Sequence, residues 1–185
     1  MASRKKIIAI SGSTRKNSTN LNLIKAIAGL FSDELDFKIF ERLGDIPHFN
    51  PDLDTEHPPQ EVSDFRRQLK EANGILICTP EYAMGVPGTL KNAIDWTVSS
   101  LEFSHKPVAL ITASSAGEKG HRSLLETLRV IESNIPEPSQ LLISFVKTKV
   151  KEDTITDKET LEQVRALIKS LADTIDASKA VDGMQ

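Results

Sequence analysis

The stretch Ser11–Asn20, Ser-Gly-Ser-Thr-Arg-Lys-Asn-Ser-Thr-Asn, is made almost entirely of small, polar or basic residues. An apolar run, Lys6–Ile10, ends directly before it, and a helical pattern begins directly after it. Hydroxyl and amide donors, a planar cationic fork and the free N–H groups of a helix start together suit a phosphate monoester, which carries about −1.5 to −2 charges near pH 7. Here Ser13, Ser18, Thr19 and Asn20 supply the donors and Arg15 supplies the fork. The competing reading is an ordinary polar turn with Ser18 as helix N-cap. The P-loop pattern G-x-x-x-x-G-K-[ST] and the dinucleotide pattern G-x-G-x-x-G are both absent from the chain.

Two further loops have a similar character. Pro80-Glu81-Tyr82-Ala83-Met84-Gly85-Val86-Pro87-Gly88 follows one apolar run, and Thr112–Arg122 follows another. In the third loop Ser114, Ser115 and Gly117 are small enough to let a flat ring approach closely, although a tight turn with no ligand explains them equally well. Lys119, His121 and Arg122 add positive charge beside it.

The elements that would position these loops alternate strand and helix. The expected strands are Lys6–Ser11, Asp36–Phe40, Gly74–Thr79, Lys106–Ala113 and Leu141–Val146; the first and third carry continuous apolar runs of the kind buried on both faces, and Val108–Ile111 forms the apolar centre of the fourth. Expected helices cover 18–32, 59–72, 89–99, 123–133 and about 156–177. Their apolar stripes include Ile24, Ile27, Ala28 and Phe31 in the first and Leu90, Ala93, Ile94 and Val98 in the third. Thr156-Asp157-Lys158-Glu159 has capping-box spacing for the last helix. This alternation implies a single three-layer α/β domain over residues 1–178, with a parallel sheet and right-handed crossovers, and a disordered tail over 179–185. The flavodoxin-like strand order 2-1-3-4-5 is favoured. In such sheets ligands sit at the carboxyl ends of the strands, near the switch point between strands one and three. The proline-rich connection 42–60 is either a solvated crossover or a cover for a ligand or a neighbouring subunit.

Composition narrows the function classes. The net charge of −3 gives no reason to expect nucleic acid or an anionic membrane as partner. No apolar run approaches the roughly 20 residues of a membrane helix, and the stretch behind the basic N-terminus is too short for a secretory signal. Cys78 is the sole cysteine, so no intramolecular disulfide can form, which fits a reducing cytoplasm. Within a buried strand it reads as inert packing. The four histidines lack close metal-ligand spacing, and no metal is expected.

Two motifs carry a family resemblance. Gly12–Asn20, GSTRKNSTN, resembles the G-S-x-R-x-x-S-x-N loop of the NADPH-dependent FMN reductase family, and Thr79–Trp96, TPEYAMGVPGTLKNAIDW, is similar to its second signature. The strand and helix pattern extends the likeness over about residues 6–175. The family includes azoreductase-like, quinone reductase and chromate reductase relatives. The resemblance implies a flavodoxin-like fold with non-covalent FMN. Ser13, Arg15, Ser18, Thr19 and Asn20 would take its phosphate, and Pro80, Glu81, Tyr82, Ala83 and Met84 would run along its isoalloxazine ring. NAD(P)H would be the cosubstrate, passing hydride to the flavin for delivery to a small-molecule acceptor such as a quinone, azo compound, free flavin or metal ion. The chemistry then belongs to the flavin, and no catalytic side chain is required. The resemblance also implies a homodimer or homotetramer, with helix three and the 42–60 connection as candidate interface elements. Many members carry asparagine and serine where this chain has Ala83 and Gly85. The alternative is a flavodoxin-like FMN electron carrier without a nicotinamide site. Such carriers usually have strongly acidic surfaces, which this chain lacks.

Overall fold

The computed structural model describes residues 4–182. Its central feature is a five-stranded parallel sheet in the order β2-β1-β3-β4-β5. The strands are β1 (Lys5–Ser11), β2 (Leu35–Phe40), β3 (Gly74–Thr79), β4 (Val108–Ser114) and β5 (Gln140–Ser144). The three central strands are apolar at consecutive positions because each face of the sheet has its own core. Ile7, Ala9, Leu76, Cys78, Ala109 and Ile111 point to one side, against α1 (Thr19–Leu30) and α6 (Lys158–Asp182). Ile8, Ile10, Ile75, Ile77, Val108 and Leu110 point to the other, against α2 (Gln60–Glu71), α3 (Gly88–Asp95) and α4 (Glu118–Val130). A side-chain period of two sends alternate residues to opposite layers. Ile8 pairs with Ile75 and Ser11 with Cys78, so β1 and β3 end side by side. Their following loops are neighbours for that reason.

Several boundaries differ from the sequence reading. Helix α4 begins at Glu118, not Ser123, so part of the expected third loop is helical. Helix α3 stops at Asp95 and turns follow, which leaves Val98 51% exposed where an inward position was expected. Strand β5 ends at Ser144. Behind it come a short helix, α5 (Val146–Lys149), and a hairpin of β6 (Val150–Lys151) and β7 (Thr154–Ile155), none of them anticipated. Two-residue strands are too short to produce a periodic signal. Helix α6 takes Asp157 as its cap: the carboxylate accepts from Thr160 N at 2.9 Å and Thr160 Oγ1 at 2.6 Å, so the cap lies one residue later than the Thr156 box implied. The helix runs to Asp182, so 179–182 are helical where a disordered tail was expected, and 183–185 lie outside the described residues.

The connection after β2 is an ordered crossover laid over α3. Asn92 Nδ2 donates to Pro47 O at 2.9 Å and Asn92 Oδ1 accepts from Phe49 N at 2.7 Å. Trp96 Nε1 donates to Pro47 O at 2.8 Å, and its ring meets Phe49 edge-on with centroids 5.1 Å apart. Farther along, Asp54 pairs with Arg66 at 2.7 Å, each side chain only 11% exposed, and Arg66 also reaches Trp96 O. Leu90, Ala93, Ile94 and Trp96 are buried core, as their pattern implied. Lys91 pairs with Asp95 at 2.5 Å on the same helix.

Candidate functional site

A cavity of about 460 Å³ opens at the carboxyl ends of β1, β3, β4 and β5. That volume lies within the range of small-molecule and cofactor sites. One wall comes from the β1–α1 loop and the start of α1: Arg15, Ser18, Thr19 and Asn20. Pro80, Glu81 and Tyr82 form the second, and Ala113, Ser114 and Ser115 the third. The fourth is Phe145, Val146, Lys147 and Thr148. Sequence reasoning missed this last wall, because the apolar run was extended as strand through Val146. Its available signal was position alone, since in a doubly wound sheet the segment after each strand reaches the same rim.

Of the other residues singled out from sequence, Ser13, Ala83, Met84 and Gly117 do not line the cavity. Ser13 is buried behind the loop, with its hydroxyl 3.4 Å from the Tyr82 hydroxyl. Tyr82 and Gly85 exchange both backbone hydrogen bonds, at 3.1 and 2.9 Å, around Ala83 (φ 49°) and Met84 (φ 61°). This is a two-residue type I′ turn built without glycine at either central position. Gly117 adopts φ 107° at the entry to α4, where a Cβ would lie 2.8 Å from Leu142 Cδ1. Its role in the geometry is to make that turn.

The loops are braced against one another by polar groups. Gly12 N donates to Cys78 O at 2.9 Å, joining the first loop to β3. Asn20 is buried: its Nδ2 donates to Ala113 O at 3.1 Å, and its Oδ1 accepts from the Cys78 thiol at 3.2 Å. Burial pushes that thiol's pKa up, so it stays a neutral donor. Glu81 Oε2 accepts from Gly120 N at 2.6 Å, in the first turn of α4. The carboxylate thus caps a helix from a different loop, and this tertiary cap is why α4 starts earlier than its own sequence suggests. His121 Nδ1 lies 2.9 Å from the Thr112 hydroxyl between α4 and β4, and burial lowers its pKa, favouring the neutral ring. Lys119 Nζ lies 3.2 Å from Met84 Sδ.

Other groups remain unspent. Ser18 is the N-cap of α1, but its hydroxyl makes no capping bond. The first-turn N–H groups of α1 have no intrahelical acceptor, and the turn contains no acidic residue. No ion pair is made by Arg15 or Lys147 among the described residues. Glu81 is the only acid on the cavity walls, and it is already engaged by α4. The site therefore offers two unpaired cations, free hydroxyls and a helix N-terminus beside proline, alanine and aromatic surface. That combination fits a ligand with an anion at one end and a flat ring at the other.

A family model for NADPH-dependent FMN reductase matches residues 5–148. The chain belongs to that family. Among its relatives, an NADPH azoreductase of a Bacillus species is 31% identical over 179 residues, 86% of this chain and 98% of that protein. A quinone reductase of Pseudomonas putida is 38% identical over 113 residues; the match spans 58% of this chain and 59% of that protein's length. Among solved structures, the flavoenzyme NAD(P)H:(acceptor) oxidoreductase FerB of Paracoccus denitrificans matches with a TM-score of 0.77 at 25% identity, over 94% of this chain and 98% of FerB. The strand order expected from the sequence is the one observed here, and the range matched by the family model ends inside α5. No described helix is long and apolar enough to cross a membrane.

Proposed function

We propose that the protein is an FMN-dependent NAD(P)H oxidoreductase that reduces a small-molecule acceptor of the quinone or azo class, and that the cavity between the strand ends holds the FMN. FMN held there would supply the two-electron redox chemistry that links NAD(P)H oxidation to acceptor reduction. With a quinone the net reaction is NAD(P)H + H⁺ + quinone → NAD(P)⁺ + hydroquinone. The chain's own residues bind and orient. Arg15, Ser18, Thr19 and the first-turn N–H groups of α1 take the phosphate, and Lys147 adds a second positive charge to the same cavity. The main chain of Pro80–Tyr82 and the small residues Ser114 and Ser115 border the ring. Ser13, Asn20, Glu81 and the Ala83–Met84 turn keep the bordering loops in register.

The observation that carries this reading is the unspent anion site: an uncapped α1 N-terminus and an unpaired Arg15 in a cavity where Glu81, the one lining carboxylate among the described residues, is already engaged. A cytoplasmic homo-oligomer is consistent with it, and the exposed Val98 and Leu101 after α3 are the apolar surface a second subunit would cover. Two measurements test the reading. Anaerobic titration with NADPH and NADH should bleach the bound flavin, and a protein that takes up no FMN defeats the proposal. Arg15→Ala should weaken FMN binding about 10- to 150-fold, the loss of one charge-assisted contact of about 1.5–3 kcal/mol. Unchanged affinity would place the phosphate elsewhere.

A further inference from the structure

Phe145 has two features that the cofactor reading does not use. Its backbone lies in the left-handed region, at φ 54° and ψ 37°, which glycine and asparagine occupy readily and bulky residues avoid. Its side chain is 68% exposed although it stands on the cavity wall. A phenylalanine here carries a conformational cost and hides little apolar surface, so folding stability does not account for it. An outlier of this kind, held in place by its surroundings, points to a use. The surroundings do hold it: Phe145 N donates to Ser115 O at 3.4 Å, and Phe145 O accepts from Thr148 N at 3.0 Å and Thr148 Oγ1 at 2.9 Å. These bonds fix the direction in which the ring leaves the backbone, beside the loop after β4. The 49%-exposed ring of Tyr82 belongs to the same cavity, so two aromatic faces remain open to whatever enters.

We infer that Phe145 is a specificity-determining residue, the platform on which a planar aromatic acceptor of the quinone class stacks at the mouth of the cavity. The inference rests on the oxidoreductase reading above. A quinone is flat and uncharged, and offset or edge-on contact with a phenyl ring favours it. A compact inorganic oxidant such as ferricyanide has no flat apolar face and gains nothing from the platform. Reducing one quinone consumes two electrons and two protons, whereas two ferricyanide ions take one electron each, so the two acceptors report on the same NAD(P)H oxidation.

The experiment compares FMN-loaded wild type, Phe145→Asn and Phe145→Trp. Asparagine accepts the backbone conformation and removes the aromatic face, whereas tryptophan keeps it. With NAD(P)H saturating and the protein saturated with FMN, the ratio of kcat/KM for 1,4-naphthoquinone to kcat/KM for ferricyanide should fall about threefold to tenfold in Phe145→Asn. Phe145→Trp should keep the wild-type efficiency with naphthoquinone. The urea midpoint of Phe145→Asn should equal or exceed that of wild type, because strain has been relieved. Equal losses with both acceptors, unaltered naphthoquinone kinetics or a lowered midpoint would each overturn the assignment. Wild-type protein that binds no FMN, or whose FMN neither nucleotide reduces, would instead defeat the underlying reading before Phe145 is varied.

Discussion

A single methyl group at Gly12 should pry apart the two loops that define the site. A Cβ there would lie 2.2 Å from Thr79 Oγ1, 2.7 Å from Thr79 Cβ and 3.1 Å from Leu90 Cδ2. Thr79 has no way to yield. Its Cβ is fixed to the backbone of β3, the residue is 1% exposed, and its hydroxyl donates to Pro80 O at 3.0 Å. The first loop must therefore tilt away from β3, and the Gly12 N to Cys78 O bond is the strut that gives way. Overpacking of this kind costs about 1–3 kcal/mol, and loss of a backbone hydrogen bond adds about 1, so Gly12→Ala should lose about 2–4 kcal/mol.

Urea unfolding of the FMN-free protein measures that loss without contribution from ligand. A fluorescence titration with FMN, under conditions where the variant is folded, should show weaker binding as well, because the clash lies between the phosphate-side loop and the ring-side loop. The double variant Gly12→Ala/Thr79→Gly removes both Thr79 contacts and should recover part of the affinity, giving a non-additive cycle. If Gly12→Ala unfolds within about 0.5 kcal/mol of wild type and binds FMN equally well, the close approach of the two loops is not what holds the site together.

Other changes follow from the same geometry. Ala83→Asn places a residue tolerant of positive φ at the first central position of the type I′ turn and should stabilise the protein by about 0.5–1 kcal/mol, read as a raised urea midpoint; a lowered midpoint would show that the turn is not strained. Asp54→Asn should cost about 2 kcal/mol at neutral pH by breaking the largely buried pair with Arg66. Burial opposes the Asp54 charge, but hydrogen bonds from Ser99 and Arg66 and the Arg66 charge outweigh it, so the folded pKa falls below the ordinary 3.8. A depressed pKa stabilises above the unfolded value and ceases to do so as pH falls through the folded one. The stability gap between wild type and Asp54→Asn should accordingly be constant near neutrality and close on acidification below about pH 4.

How much of this was legible in the sequence depends on whether a residue's partner is near it in the chain. Ile7–Ile10, Ile75–Cys78 and Val108–Ile111 announced a doubly covered parallel sheet because burial on both faces leaves no charged or strongly polar position in the run. That sheet then fixed which loops share a rim. The start of α4 was not legible, since its cap is Glu81, contributed by a different loop, and its turn is made by Gly117 at positive φ. Nor was the wall Phe145–Thr148, where a strand-like run conceals a left-handed turn. The polar residues of the first two loops divide along a line that local spacing does not draw. Ser13, Asn20 and Glu81 have protein partners and spend their polarity on joining loops. Arg15 and Ser18 have none for their side chains and keep theirs for a ligand. One motif thus contains two kinds of residue. Changing the bracing kind should alter stability and FMN affinity together, whereas changing Arg15 should alter affinity alone.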